Sequence, residues 1–160
     1  MEALLAPIPA IYIVEGESVH AKHGRVAYGS DAWELFNRLR LDGVDKQLPV
    51  LIYASATESS HLANEIALHK IVSSAVLDGF ENSVGGKHRR PHLRTKRALE
   101  TDSKFALFWE IVNLNRLSRP ANLSSVRTLI ATGKKGKILT EAPRGPIRIW
   151  VEDEALRKNL

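Results

Sequence analysis

Residues 61–79, HLANEIALHKIVSSAVLDG, decide the fold, because they satisfy two periodicities at once. Leu62, Ile66, His69 and Val76 recur near helical spacing, whereas Ile66, Leu68 and Val72 alternate as a strand does. Local pattern alone favours the helix. Working outward, residues 48–56, LPVLIYASA, form a continuous apolar run of strand length that predicts a central strand buried on both faces. Before it, Asp31 and Glu34 make a D-x-x-E variant of the capping box and predict a helix over 31–41. Ala32, Phe36 and Leu39 share one face of that helix, Leu35 lies beside them, Trp33 is expected in the core, and Gly43 ends it. Earlier still, AIYIV at 10–14 is β-branched and aromatic between prolines and Gly16, which predicts another buried strand. Residues 15–29 read as a polar loop with a strand fragment over 25–28.

Downstream, residues 80–102 are polar, contain Gly85, Gly86 and Pro91, and read as a long, mobile basic loop. KFALFWEIVN at 104–113 reads as a strand, and LSRPANLSSVRTL at 117–129 as a proline turn and a short helix capped by Asn122 or Ser124. GKKGK at 133–137 is an exposed basic turn. In PIRIWVE, Ile147, Ile149 and Val151 alternate with Arg148 and Trp150, a final strand. The expected fold class is α+β.

At 160 residues the chain, 1–160, is long enough for one domain, and with 44% hydrophobic and 26% charged residues it has the composition of a folding globular chain. No run reaches the roughly 18 apolar residues that span a bilayer, and Glu2 stands where a signal peptide carries positive charge. The expectation is a cytoplasmic protein with no membrane partner. The absence of Cys excludes a disulfide framework, a thiol nucleophile and cysteine-ligated zinc. Of the net charge of +5, six positive charges and no acid fall within 87–97; the remaining 17 basic residues balance 18 acidic ones. A basic excess held in one segment suits a polyanionic partner.

LIYAS (51–55), NEIALHKIV (64–72), FALFWEIVNLNRLSRPANLSSVRTL (105–129) and GPIRIWVE (145–152), taken in succession, resemble the PUA-like superfamily, in particular its EVE and ASCH branches. The resemblance covers about 100 residues, 48–152, through loose patterns; AIYIV stands in place of the tryptophan-containing opening motif of EVE proteins. It implies a mixed β pseudo-barrel flanked by short helices, and it turns residues 65–72 into a strand against the local periodicity. It also implies binding of RNA or DNA, with a modified base held between barrel strands in the EVE branch. Some ASCH-type proteins are nucleases or amidohydrolases instead.

Arg and Lys neutralise phosphates and release counterions, so Lys87, His88, Arg89, Arg90, His92, Arg94, Lys96 and Arg97 are the candidate phosphate contacts. The alternative is a solvated loop or a contact with an acidic protein. A flipped base needs an aromatic or apolar sandwich and a few directed hydrogen bonds, for which Tyr12, Tyr53, Ser55 and Trp109 are the candidates, with core packing as the alternative for each. His20 with His23, and His88 with His92, have poor spacing for a metal, and Pro91 breaks a helix across the second pair, so neither a metal nor a cofactor is expected. An enzyme would draw on Glu65 and His69 as general acid and base. The reading is a nucleic-acid-binding domain in which the basic segment positions the backbone and a strand-lined pocket reads a base.

Overall fold

The run EALLAPI opens the chain as strand β1 (Glu2–Ile8), and AIYIV, expected to be a strand, instead begins helix α1 (Ala10–His23). Pro9, at φ −56°, precedes the helix, a position where a fixed φ and a missing N–H are both tolerated. Gly24 closes the helix at φ 76° with its N–H donated to the His20 carbonyl at 2.7 Å, and Lys22 complements the dipole of the last turn. The structure, a computed structural model, describes residues 1–56, 66–85, 87–88, 90–95, 105–130 and 133–160.

After α1 come β2 (Arg25–Ser30), α2 (Trp33–Leu41), β3 (Pro49–Ala54), β4 (Lys70–Asn82), β5 (Leu107–Asn122), β6 (Val126–Leu129), β7 (Lys135–Ile138), β8 (Ile147–Val151) and α3 (Glu154–Arg157). Single 3₁₀ turns occupy Pro91–Leu93 and Leu123–Ser125. Among the described residues the strands form one eight-stranded sheet in the order β2-β5-β4-β3-β1-β8-β6-β7, with β1 and β3 parallel and every other pair antiparallel. The architecture is α+β, and the sheet is open, with β2 and β7 at its ends. No described helix is long and apolar enough to cross a membrane.

The strand reading of 48–56 holds, and β3 is buried on both faces from Val50 to Ala54. Residues 70–82 are strand rather than helix, but β4 begins at Lys70, later than 65, and residues 57–65 lie outside the described ones. Because side chains alternate along a strand, β1 and β3 feed two cores. Leu4, Ala6, Ile8, Val50, Ile52 and Ala54 join α1, Phe36, Leu39 and Trp109 on one face. Ala3, Leu5, Leu51 and Tyr53 join Leu117, Leu123, Val126, Ile149 and Leu156 on the other. Strand β5 serves both cores by bending at Asn113, whose φ is 53°, just past its last residue paired with β2, Val112.

Four further expectations are corrected. LSRPAN is the end of β5, because beyond Val112 the strand has lost β2 as a neighbour, and a strand with one open side accommodates Pro120. The cap of α2 is not Asp31: the helix begins at Trp33, while Asp31 Oδ1 accepts the Ala106 N–H at 3.0 Å. Phe36 and Leu39 are buried as expected, but Trp33 is 54% exposed. GKKGK turns at Gly133 and then continues as edge strand β7, where lysines discourage further strand pairing.

Gly16 lies buried in α1 against Tyr28, and a methyl group there would overlap the Tyr28 hydroxyl. That hydroxyl donates to the Tyr12 carbonyl at 3.2 Å, and burial pushes its pKa above the ordinary phenol range. Gly16→Ala is expected to destabilise the fold by about 1 kcal/mol net, overpacking of about 1–3 kcal/mol exceeding a gain in helix propensity of about 1 kcal/mol. Thermal unfolding of Gly16→Ala, Tyr28→Phe and the double variant checks this, with the Phe background expected to absorb most of the Gly16→Ala cost.

Candidate functional site

Along β5, Leu107, Trp109 and Ile111 face the helical core, so Phe108 and Glu110 face the opposite side of the sheet. Part of the basic segment folds down over them. The buried His88 ring sits edge-on to Phe108 at 5.2 Å, and the Arg94 guanidinium lies 4.5 Å above the same ring. His88 Nδ1 accepts the Arg90 N–H at 2.8 Å, which leaves the proton of the neutral ring on Nε2, facing Glu81 at 3.1 Å and Glu110 at 3.7 Å. Burial lowers the pKa of His88, although both carboxylates pull it upward. Glu110, 5% exposed, also accepts from Arg90 at 2.5 and 2.6 Å and from Arg25 at 3.2 Å, and Arg25 reaches on to Asp78 at 3.1 Å.

The segment is therefore not a uniformly solvated loop. His88 and Arg94 are buried against the sheet, Arg90 is committed to Glu110, and Lys87 and His92 lie on the surface. Arg89, Lys96 and Arg97 lie outside the described residues. Beyond the 3₁₀ turn, Arg94 bridges to Ala27 on β2, which carries Arg94 and Thr95 to the mouth of a hollow.

That hollow, about 270 Å³, opens where β1 ends and α1 begins. Pro7, Ile8, Pro9, Tyr12, Ala27, Tyr28, Gly29, Arg94, Thr95 and Phe105 line it. Gly29 is required by the close approach of Phe105, whose ring occupies the space of a Cβ. Beside it lies a second, more open hollow of about 420 Å³, lined by Pro7, Tyr53, Ser55, His69, Ala142, Pro143 and Arg144. Pro7 borders both. The two hollows thus flank the carboxyl ends of the parallel strands β1 and β3, where diverging connections leave a crevice.

Tyr53 forms a wall of the second hollow, 1% exposed, its hydroxyl donating to the Pro143 carbonyl and its pKa pushed up to about 12 by burial. His69 holds φ 57°, a left-handed backbone that costs a non-glycine residue about 1–2 kcal/mol. This turn lets its N–H donate to the Ala54 carbonyl at 2.8 Å and sets its ring edge-on to Tyr53 at 6.4 Å.

Of the residues expected in a base pocket, the fold brings Tyr12 to the first hollow and Tyr53 with Ser55 to the second. Trp109 is at neither: it is 2% exposed inside the core, stacked on Phe36 at 6.0 Å and tilted against Tyr28 at 5.4 Å. Its place follows from the alternation of β5, which sends Trp109 inward with Leu107 and Ile111. Glu65, expected to pair with His69, lies outside the described residues. His20 accepts the Leu114 N–H at 3.2 Å, and His23 meets the His92 ring at 5.1 Å. Among the described residues no group of three or more His, Asp or Glu side chains could hold a metal ion.

Sequence reasoning missed Tyr28, Phe105 and Arg144. The cluster EAPRGP offered one signal for the last, an arginine in a proline- and glycine-punctuated loop. No protein-family model and no curated protein sequence matches the chain.

Proposed function

We propose that this chain is a nucleic-acid-binding domain of PUA-like kind that takes one extruded or unpaired base, plain or modified, into the hollow lined by Tyr12, Tyr28 and Phe105. The observation that carries the reading is an aromatic-lined hollow of single-base size at the end of β1, beside the one segment that holds the basic excess. Pockets for drug-sized ligands run from roughly 300 to 1,000 Å³, so about 270 Å³ suits one base or nucleoside and not a stacked pair. Aromatic rings supply the stacking surface that every base can use, and Arg94 and Thr95 supply the polar edge. The exposed Lys87 and His92 belong to the segment expected to track the phosphate backbone.

The test is a fluorescence-anisotropy titration of short single-stranded RNA, single-stranded DNA and duplex DNA, with and without modified bases, at two salt concentrations. Salt-sensitive binding with a preference among the probes is the expected result. Tyr12→Ala should cost about tenfold or more in affinity for the preferred probe, in line with stacking worth about 1–3 kcal/mol per base, and leave the salt slope unchanged. Absence of binding to every probe, or equal loss of affinity and salt slope in Tyr12→Ala, overturns the reading.

A further inference from the structure

We infer that the second hollow is an anion subsite that takes the phosphate of the nucleotide whose base enters the first. The inference rests on the nucleic-acid reading and extends it to a ligand class, a base with its attached phosphate crossing Pro7.

Three polar side chains meet in this hollow without internal use: Ser55, His69 and Arg144 line it, and none makes a side-chain hydrogen bond or ion pair with any described residue. The fourth polar group, the Tyr53 hydroxyl, is spent on the Pro143 carbonyl. Arg144 offers a guanidinium fork, Ser55 a hydroxyl that can donate, and His69 an imidazole N–H. Among the described residues no carboxylate lines the hollow, and its other described walls are Pro7, Ala142 and Pro143. Among the described residues the donor set carries one fixed positive charge and no acid, which favours an anion over a cation, and a tetrahedral phosphate matches the fork of Arg144.

His69 supplies a second and independent observation. Its φ of 57° is one of only two left-handed non-glycine conformations among the described residues, and the other, Asn113, is accounted for by the bend in β5. The left-handed turn holds His69 at the rim, with its backbone anchored on Ala54 and its ring against Tyr53. Strain of this kind is retained where the surrounding structure fixes a side chain in place, and here it fixes a donor at the rim of a hollow. Both hollows share Pro7, so a ligand filling the aromatic one extends its attached group toward Arg144.

The test compares inorganic phosphate, a nucleoside and the matching nucleoside monophosphate by two-dimensional amide NMR on the full chain. Phosphate alone should shift the Ser55, His69 and Arg144 amides saturably. The monophosphate should also shift Tyr12 and bind at least tenfold more tightly than the nucleoside. Arg144→Ala should abolish the phosphate response and that tenfold advantage while leaving the nucleoside shifts at Tyr12 intact, and Arg144→Lys should restore part of both. Nucleoside binding at Tyr12 with no phosphate response at Ser55 and His69 overturns the subsite and leaves the base hollow standing. A phosphate response with no nucleoside or oligonucleotide effect at Tyr12 overturns the nucleotide assignment together with the nucleic-acid reading.

Discussion

Trp109→Ala is expected to cost the fold about 3–5 kcal/mol, the range for truncating a buried tryptophan or phenylalanine to alanine. Against a total stability of about 5–15 kcal/mol for a typical domain, that loss leaves a chain close to unfolding. The indole is 2% exposed, stacked on Phe36 and in contact with Tyr28, and removing it leaves a cavity between α2 and the sheet that two rings cannot both fill. Trp109→Phe should cost much less, since a ring remains against Phe36. Urea denaturation of the wild type and the two variants checks the order. A Trp109→Ala chain with an unchanged midpoint that had lost only its base preference would mean that the indole belongs to a binding pocket and not to the core.

The contrast between Trp109 and Tyr12 shows what the residues alone reveal. Both sit in apolar, β-branched surroundings, and either suits a base pocket or a core. Their different fates depend on register, through the alternation of β5, and on helix phase, through α1, and neither is visible in a short window. The strands at 48–56 and 147–151 were legible because a two-sided apolar run and a strict alternation each admit one structure. At 10–14 the β-branched residues favoured a strand, yet the signals for a helix lay ten residues on, in the basic last turn and Gly24. Propensity lost there to position, since EALLAPI already filled the central strand beside β3. The second hollow was half legible: Tyr53 and Ser55 stood in a recognisable strand, whereas Arg144 reaches them only because the β7–β8 connection passes the ends of β1 and β3. The basic segment misled for the same reason, since a charge count over 87–97 cannot include Glu81 and Glu110, which the fold brings beneath it.

That arrangement carries the second large effect. Glu110→Gln removes the buried carboxylate shared by Arg25 and Arg90, and breaking a buried pair by deleting one charge costs about 3–5 kcal/mol. The expected loss lies at the lower end, about 3 kcal/mol, because both arginines reach solvent and Arg25 keeps Asp78. The same site sets a pH dependence. The pKa of His88 in the folded chain lies below its unfolded value of about 6.5, so the folded chain binds fewer protons in this range. Its stabilising contribution is fully present above about pH 6.5 and is lost as pH falls toward the folded pKa, since protonation charges a buried ring and breaks the bond from the Arg90 N–H to Nδ1. Urea midpoints should therefore fall between pH 7 and pH 5, and His88→Asn, which keeps an acceptor for Arg90 without titrating, should flatten that slope. In Glu110→Gln the slope should steepen, because one of the carboxylates holding the His88 pKa up is gone. A slope unchanged in both variants would refute the assignment of the pH response to this cluster. Because the pinned segment leads directly to Arg94 and Thr95, Glu110→Gln should also weaken ligand capture in the aromatic hollow, and stabilising the fold elsewhere should not restore it.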